Sequence, residues 1–88
     1  MYWVYILESK GDRGWYIGYT ENLKRRIEEH TAKSGGRTTK TKNDWYLIYC
    51  EGYQSRKDAL GRERFLKSGG GRRYIKKQLS HYLNRSEQ

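Results

Sequence analysis

The strongest constraint on the fold is a pair of short strand-like runs close together near the start of the chain. Residues 2–7 (Tyr-Trp-Val-Tyr-Ile-Leu) and 15–19 (Trp-Tyr-Ile-Gly-Tyr) are rich in aromatic and β-branched side chains, which favour strands. The segment between them, residues 8–14, contains two glycines and an aspartate, which is typical of a turn. The sequence therefore predicts an antiparallel hairpin.

A helix is predicted directly after the hairpin. Thr20 is suited to the N-cap position, and Glu21 is suited to the first helical turn. Arg26 and His30 are four residues apart, which makes them neighbours on the helix surface. We expect this helix to end near residues 32–34, before a pair of glycines.

The second half of the chain predicts one more strand and two more helices. Residues 45–50 are apolar on both sides and predict a central or well-covered strand with Cys50 buried. Ser55 can cap a second helix, residues 68–71 (Ser-Gly-Gly-Gly) would break it, and residues 72–83 predict a third. The order β-β-α-β-α-α predicts an α+β fold, with a small three-stranded, mainly antiparallel sheet flanked by three helices.

Length and charge restrict the classes of function. The chain has 88 residues, so we expect one domain over residues 1–88. Its formal net charge of +9 favours a polyanionic partner: DNA, RNA or an anionic membrane surface. A soluble protein that is basic without such a partner is the other interpretation. No apolar run reaches the roughly 18 residues that a membrane span needs. The N-terminus shows no signal-peptide pattern, so we expect a cytoplasmic location and no membrane partner.

Basic side chains on the predicted helices and in the loop between them are candidate phosphate contacts. The loop over residues 35–44 is polar and basic, and a solvated run of charge is the other interpretation of it. The candidate nucleic-acid contacts are Lys24, Arg25, Arg37, Lys40, Lys42, Lys67, Arg72 and Arg73.

Four side chains match the needs of phosphodiester hydrolysis. Tyr5 and Tyr16 lie on adjacent predicted strands and can face the same side. Arg26 can hold a phosphate with its planar fork of donors. Glu63 is a carboxylate on a basic helix, and one carboxylate with phosphate oxygens and waters is a normal environment for Mg²⁺. Taken without context, packing tyrosines and a solvated arginine explain the same residues.

These residues resemble the motifs of the GIY-YIG nuclease family, which is named for two tripeptides. The first motif reads Trp-Val-Tyr here, without its leading glycine, and ends at Tyr5, whereas the second is intact at residues 16–18. The helix arginine and histidine of the family fall on Arg26 and His30. Residues 55–67 are similar to its metal-binding helix, whose glutamate falls on Glu63.

The resemblance implies a metal-dependent endonuclease with Tyr5, Tyr16, Arg26, His30 and Glu63 in its catalytic site. In that arrangement the two tyrosines shape the water and phosphate site, one of them serving as base. Arg26 stabilises the phosphate, and Glu63 holds one Mg²⁺ or Mn²⁺ ion. His30 has a structural interpretation as well, as a packing or hydrogen-bonding residue.

The implied substrate is DNA, with RNA left open. The chain is similar to small stand-alone bacterial members related to the nuclease domain of the UvrC excision-repair protein, which implies a setting in repair or recombination. The alternative is a nucleic-acid-binding module with little or no catalysis that acts with a partner protein.

Overall fold

Three antiparallel strands form the sheet on which the candidate site is built. The computed structural model describes residues 1–36 and 44–84, without the side chains of residues 31–36. Strand β1 pairs with both of the others, so the order across the sheet is β2-β1-β3. The strands are β1 (Tyr2–Ser9), β2 (Trp15–Thr20) and β3 (Trp45–Tyr53). The predicted hairpin and the α+β class are confirmed.

Helices follow the predicted order, with two differences. The first helix includes the pair of glycines before which it was expected to end. The predicted third helix is divided into a helix that begins three residues earlier and a single short turn. None of the helices in the described residues is long and apolar enough to cross a membrane. The helical segments are α1 (Leu23–Gly36), α2 (Arg56–Lys67), α3 (Gly69–Gln78) and α4 (Ser80–Leu83).

The third strand was predicted to be central or well covered, and it is instead a half-buried edge strand. β1 occupies the centre, and it is buried from Val4 to Ser9, whereas most of β3 is only half-buried. Cys50 is exposed, not buried as expected. A run that is apolar on both sides does not decide which strand has two neighbours, because that depends on pairing between distant segments.

Helix starts are fixed by side-chain caps, one of which differs from the prediction. Ser55 caps α2 as predicted, since its hydroxyl accepts from the Asp58 N–H at 3.4 Å. In α1 the cap is Asn22, not Thr20, because the Arg25 N–H donates to Asn22 Oδ1 at 3.1 Å. Thr20 instead accepts from the Asn22 N–H at 3.1 Å and so supports the cap from two residues earlier.

The hydrophobic core lies on one face of the sheet, under α2 and α3. Side chains alternate between the two faces of a strand, so Tyr5 and Tyr16 project from the face opposite this core. The core therefore stabilises the sheet while leaving the tyrosine face for other contacts. Its buried members are Val4, Ile6, Ile17, Ala59, Leu66 and Ile75.

Two carboxylates of the sheet each gather donors from distant segments. Glu8 is 1% exposed and accepts from Trp15 Nε1 at 3.2 Å, from the Tyr46 hydroxyl at 3.0 Å and from the Tyr82 hydroxyl. Because Glu8 is on β1 and its donors are on β2, β3 and α4, its carboxylate joins α4 to all three strands. A buried carboxylate is tolerated because its oxygens are satisfied.

Glu51 on β3 forms the second such centre. Arg62 of α2 donates to it through two nitrogens, each at 3.0 Å, and the hydroxyls of Tyr49 and Tyr53 donate as well. Burial by itself would raise the pKa of Glu51, but the hydrogen bonds from Arg62 and the two tyrosines outweigh it and lower that pKa. The ion pair between Glu51 and Arg62 fixes α2 against β3 and holds the Arg62 side chain in one orientation.

Gly71 explains why α3 begins at the glycines that were predicted to break a helix. Ser68 caps α3 by accepting from the Gly71 N–H at 3.1 Å. The first turn then packs directly on the end of α2, where a Cβ at Gly71 would lie 1.8 Å from the Phe65 carbonyl oxygen and 2.8 Å from the Leu66 Cα. Since both are backbone atoms, only glycine fits at this position.

Gly71→Ala is expected to lower the free energy of unfolding by about 2 kcal/mol or more, because α3 must move away from α2. Gly61→Ala is the matched control: no atom lies within 4 Å of its added Cβ, so the change should raise the free energy of unfolding by up to about 1 kcal/mol. Denaturant titrations of both variants measure this. Equal stability of the two variants would contradict the close packing of α3 on α2.

Candidate active site

Three rings from three elements meet on the face of the sheet opposite the core. The ring centroids of Tyr5 on β1 and Tyr16 on β2 are 6.1 Å apart. His30 of α1 completes the cluster, with its centroid 5.0 Å from that of Tyr16 and 6.5 Å from that of Tyr5. Trp45 of β3 packs edge-on to Tyr16 at 6.4 Å. The structure thus brings together three of the side chains singled out in the sequence.

Gly18 makes this arrangement possible. It pairs with Tyr5 across β1 and β2, and the Tyr5 ring lies over it. A Cβ at Gly18 would lie 2.5 Å from the Tyr5 hydroxyl and 3.0 Å from Tyr16 Cε2. The tripeptide is intact in the sequence, but the sequence alone assigned its glycine no role. The available signal was a glycine inside a strand, which often marks a close approach of another group.

The Tyr5 hydroxyl is buried and lacks a partner. Tyr5 is 0% exposed, and within the described residues no atom makes a hydrogen bond of acceptable geometry to its hydroxyl. An unpaired buried polar group costs free energy, and such groups are rare in native proteins. By contrast, Tyr16 is 39% exposed, so solvent reaches the cluster from its side.

The charges around Tyr5 come from two helices. Burial is the main reason that the pKa of Tyr5 is raised above its ordinary value, and Tyr16 adds to this. The positive charge of Arg26 on α1 lowers that pKa, and the negative charge of Glu63 on α2 raises it. Charges of both signs, one from α1 and one from α2, therefore act on the Tyr5 hydroxyl. α2 covers the core face of the sheet, whereas Tyr5 projects from the other face. The charge of Glu63 acts on Tyr5 around the edge of the sheet, because α2 packs against the edge strand β2.

Arg26 and Glu63 each have a partner of opposite charge. Arg26 Nε lies 3.4 Å from Glu29 Oε1, and its side chain is 41% exposed. Glu63 Oε2 lies 3.0 Å from Lys67 Nζ, and its side chain is 20% exposed. Partly exposed pairs of this kind contribute little to stability, so a phosphate or a cation can displace either partner at low cost.

The donor set fits a hard divalent cation better than a zinc ion. No group of three or more His, Cys, Asp or Glu side chains lies close enough to hold a metal in the part of the chain that the structure describes. What the site offers is the Glu63 carboxylate and the unpaired Tyr5 hydroxyl. Mg²⁺ is commonly held by one or two carboxylates plus waters and substrate phosphates, whereas structural zinc needs four protein ligands.

The predicted phosphate contacts on α1 are exposed but paired. Lys24 Nζ lies 3.6 Å from Glu28 Oε2, and Arg25 Nε lies 3.3 Å from Glu29 Oε2. Arg25 also lines a pocket of about 260 Å³ together with Arg26. Arg25 therefore lies beside Arg26, the residue predicted to bind the phosphate.

The other predicted phosphate contacts are spread over different surfaces. Lys67 pairs with Glu63 and so lies at the candidate site. Arg72 lies over the Trp15 ring at 5.3 Å from its centroid, and Arg73 is exposed on α3. The remaining three lie outside the described residues; they are Arg37, Lys40 and Lys42.

Removal of the unpaired hydroxyl is expected to cost the fold nothing. Tyr5→Phe should leave the free energy of unfolding equal to that of the parent protein or raise it by about 1–2 kcal/mol, because a buried group without a partner disappears. Tyr82→Phe is the matched control, since its hydroxyl donates to Glu8, and it should lower stability by about 1–3 kcal/mol. Denaturant titration compares the two. A loss for Tyr5→Phe as large as that for Tyr82→Phe would show that the Tyr5 hydroxyl is satisfied.

Comparisons with known proteins match this chain to one domain family and to a group of UPF0213 proteins. The family model of the GIY-YIG catalytic domain matches residues 1–78. The UPF0213 protein SH2523 of Staphylococcus haemolyticus is 39% identical over 67 residues, which cover 76% of this chain and 80% of that protein. A UPF0213 protein of Limosilactobacillus reuteri is 35% identical over 82 residues, covering 91% and 84% of the two chains.

Two further relatives extend the comparison. A UPF0213 protein of Streptococcus pneumoniae is 35% identical over 65 residues, which span 74% of this chain but only 65% of the pneumococcal protein. The solution NMR structure of the UPF0213 protein BH0048 from Bacillus halodurans is similar with a TM-score of 0.51 and 34% identity. The match covers 93% of this chain and 85% of that chain.

Proposed function

This chain belongs to the GIY-YIG family, whose catalytic domain is a nuclease domain, and from that premise we propose that it is a metal-dependent endonuclease that hydrolyses DNA. The resemblance found in the sequence is confirmed by the family match. One observation carries the proposal beyond membership: the Tyr5 hydroxyl is buried and has no hydrogen-bond partner among the described residues, and charges of both signs act on it. A ligand that satisfies this hydroxyl would repay its burial.

Arg26 would bind the phosphate. Hydrolysis of a phosphodiester requires stabilisation of the charge that develops on the phosphate oxygens. The guanidinium of Arg26 can exchange its partner Glu29 for two phosphate oxygens, which it contacts with parallel N–H donors. Arg25 lines the same pocket and would contact the neighbouring phosphate of the strand.

The two tyrosines would take different roles because their exposure differs. Tyr5 keeps its proton in the free protein, since burial raises the pKa of its phenol, so its hydroxyl can donate a hydrogen bond to a phosphate oxygen or to water. Tyr16 is reached by solvent and is placed to orient the attacking water. His30 packs against Tyr16 and would hold that ring in position.

Glu63 would hold the divalent cation. Its carboxylate would exchange Lys67 for the cation, with the remaining ligands coming from waters and phosphate oxygens. A bound Mg²⁺ or Mn²⁺ would supply Lewis-acid stabilisation of the phosphate and the leaving oxygen, and it would favour the phenolate form of a nearby tyrosine. Lys67, once released, would be free to contact the strand.

A binding module without catalysis is the second candidate. The observation that favours it is that Glu63 and Arg26 are both already neutralised by partners on their own helices. If those pairs persist when nucleic acid binds, no carboxylate remains for a cation. Such a module would act with a partner protein. RNA would serve it as well as DNA, because the two share the same backbone phosphates and only contacts to the 2′-hydroxyl distinguish them.

Glu63→Gln is expected to lower cleavage by at least about a hundredfold, because it removes the charge that holds the cation while keeping the shape of the side chain. Binding should stay the same or become slightly tighter, since one negative charge facing the phosphates is lost. The assay uses single-stranded, duplex, flap and branched DNA, with Mg²⁺ or Mn²⁺ and without either.

The controls separate the two candidates. Glu28→Gln removes a carboxylate that only pairs with Lys24 on α1, so it should cleave like the parent protein. Arg26→Ala should lose both cleavage and part of the binding. Equal cleavage by the parent protein and by Glu63→Gln would exclude Glu63 as the metal ligand. No cleavage by either protein, with binding that weakens steeply as salt rises, would favour the binding module.

A further inference from the structure

A second surface with the features of a nucleic-acid site lies on the outer side of α2 and α3. Two large aromatic rings are exposed there: Phe65 is 40% exposed and Tyr74 is 43% exposed. Their ring centroids are 6.0 Å apart and their planes are tilted by 58°. The side chains of the same helices that face the sheet, such as Leu66 and Ile75, are buried. The two rings are therefore not part of the core.

The guanidinium of Arg62 packs against both rings. Arg62 Cζ lies 5.3 Å from the centroid of Phe65 and 5.0 Å from that of Tyr74. The other side of Arg62 is anchored by its two hydrogen bonds to Glu51, each 3.0 Å long. Because Arg62 cannot move freely, the rings above it are ordered before any ligand arrives, which lowers the entropy cost of binding.

Positive charge lies directly beside the rings. A groove of about 650 Å³ runs along α3 next to Tyr74, and Arg73, Lys76 and Lys77 line it. These three side chains are exposed, and their spacing of three and four residues places them on one side of the helix. No acidic residue occurs in α3. We call Phe65, Tyr74, Arg73, Lys76 and Lys77 together the aromatic–basic surface.

The aromatic–basic surface is distinct from the candidate active site. The groove is lined by none of the side chains that surround the Tyr5 hydroxyl. α3 packs on the core side of the sheet, whereas the rings of Tyr5, Tyr16 and His30 lie on the other face. Arg73, one of the candidate nucleic-acid contacts predicted from the sequence, lines this groove.

We propose that the aromatic–basic surface binds single-stranded nucleic acid. Unpaired bases present flat faces that stack on aromatic rings, whereas the bases of a duplex are stacked on each other and hide those faces. Here Tyr74 and Phe65 are the stacking platforms, and Arg73, Lys76 and Lys77 contact the phosphates that follow them. Exposed rings interleaved with cations fit this ligand better than a duplex, which needs cations alone.

This binding site stands independently of the nuclease proposal, and together the two describe one substrate class. A nucleic acid with an unpaired arm would place the arm on the outer side of α2 and α3 and its scissile phosphate at the Tyr5 site. The aromatic–basic surface would then select branched or flapped substrates over a plain duplex.

Fluorescence anisotropy in EDTA tests the proposal without any cleavage. The probes are a labelled oligothymidine of about ten nucleotides, matching the site sizes of such surfaces, and a blunt duplex. Tyr74→Leu and Phe65→Leu should each weaken binding of the single strand roughly five- to hundredfold, because one base loses its stacking partner. Binding of the duplex should not change. Tyr74→Phe, which keeps the ring, should bind the single strand like the parent protein.

The charged part of the surface has its own pair of variants. Arg73→Ala combined with Lys77→Ala should weaken binding of the single strand and reduce the slope of log affinity against log salt by roughly 0.7 for each phosphate that is no longer neutralised. Lys57→Ala, an exposed lysine in the first turn of α2, should leave both unchanged. Denaturant titration confirms that each variant is folded.

Three outcomes would overturn the proposal: no measurable binding of the single strand by the parent protein, unchanged binding by both leucine variants, or equal weakening of single strand and duplex. The last result would show that charge alone acts there. Since the nuclease proposal is tested by Glu63→Gln in the presence of metal, failure of one proposal leaves the other intact.

Discussion

The contact between the Tyr5 ring and Gly18 is the constraint on which the candidate site depends. The antiparallel register of β1 and β2 places these two residues opposite each other, and the absence of a Cβ lets the ring lie across the neighbouring strand. The hydroxyl is thereby carried into a buried position where none of the described residues offers it a hydrogen-bond partner. The fold keeps a polar group unsatisfied at this point, and a bound phosphate, water or cation would satisfy it.

The remaining elements bring charge to that hydroxyl or hold the frame rigid. α1 supplies Arg26 and α2 supplies Glu63, so opposite charges act on the same phenol. The frame is held by two carboxylates of the sheet: Glu8 joins the three strands to α4, and Glu51 joins β3 to α2. Arg62, which Glu51 holds, also packs against the exposed rings of Phe65 and Tyr74 on the outer side of α2 and α3.

Local patterns in the sequence predicted the helices and strands. The position of each strand in the sheet and the exposure of some side chains depend on contacts between distant segments, which those patterns do not contain. The hairpin, the order of elements as far as the second helix and the Ser55 cap follow from short-range residue preferences, and all are confirmed. The central position of β1 and the exposure of Cys50 depend on which strands pair, so the prediction for β3 was wrong. Motif resemblance selected Tyr5 and Tyr16, but the role of Gly18 requires knowledge of strand register.

The most direct test of the account is the position of a divalent cation relative to Gly18. Mn²⁺ broadens the NMR signals of nearby amides, so it can be titrated into ¹⁵N-labelled protein bound to a phosphorothioate DNA that resists cleavage. We expect broadening that is strongest at Tyr5, Gly18 and Glu63 at the lowest Mn²⁺ concentrations and weaker toward Lys77 in the second half of α3. Broadening that spares Gly18 and Glu63 while affecting other surfaces would contradict it.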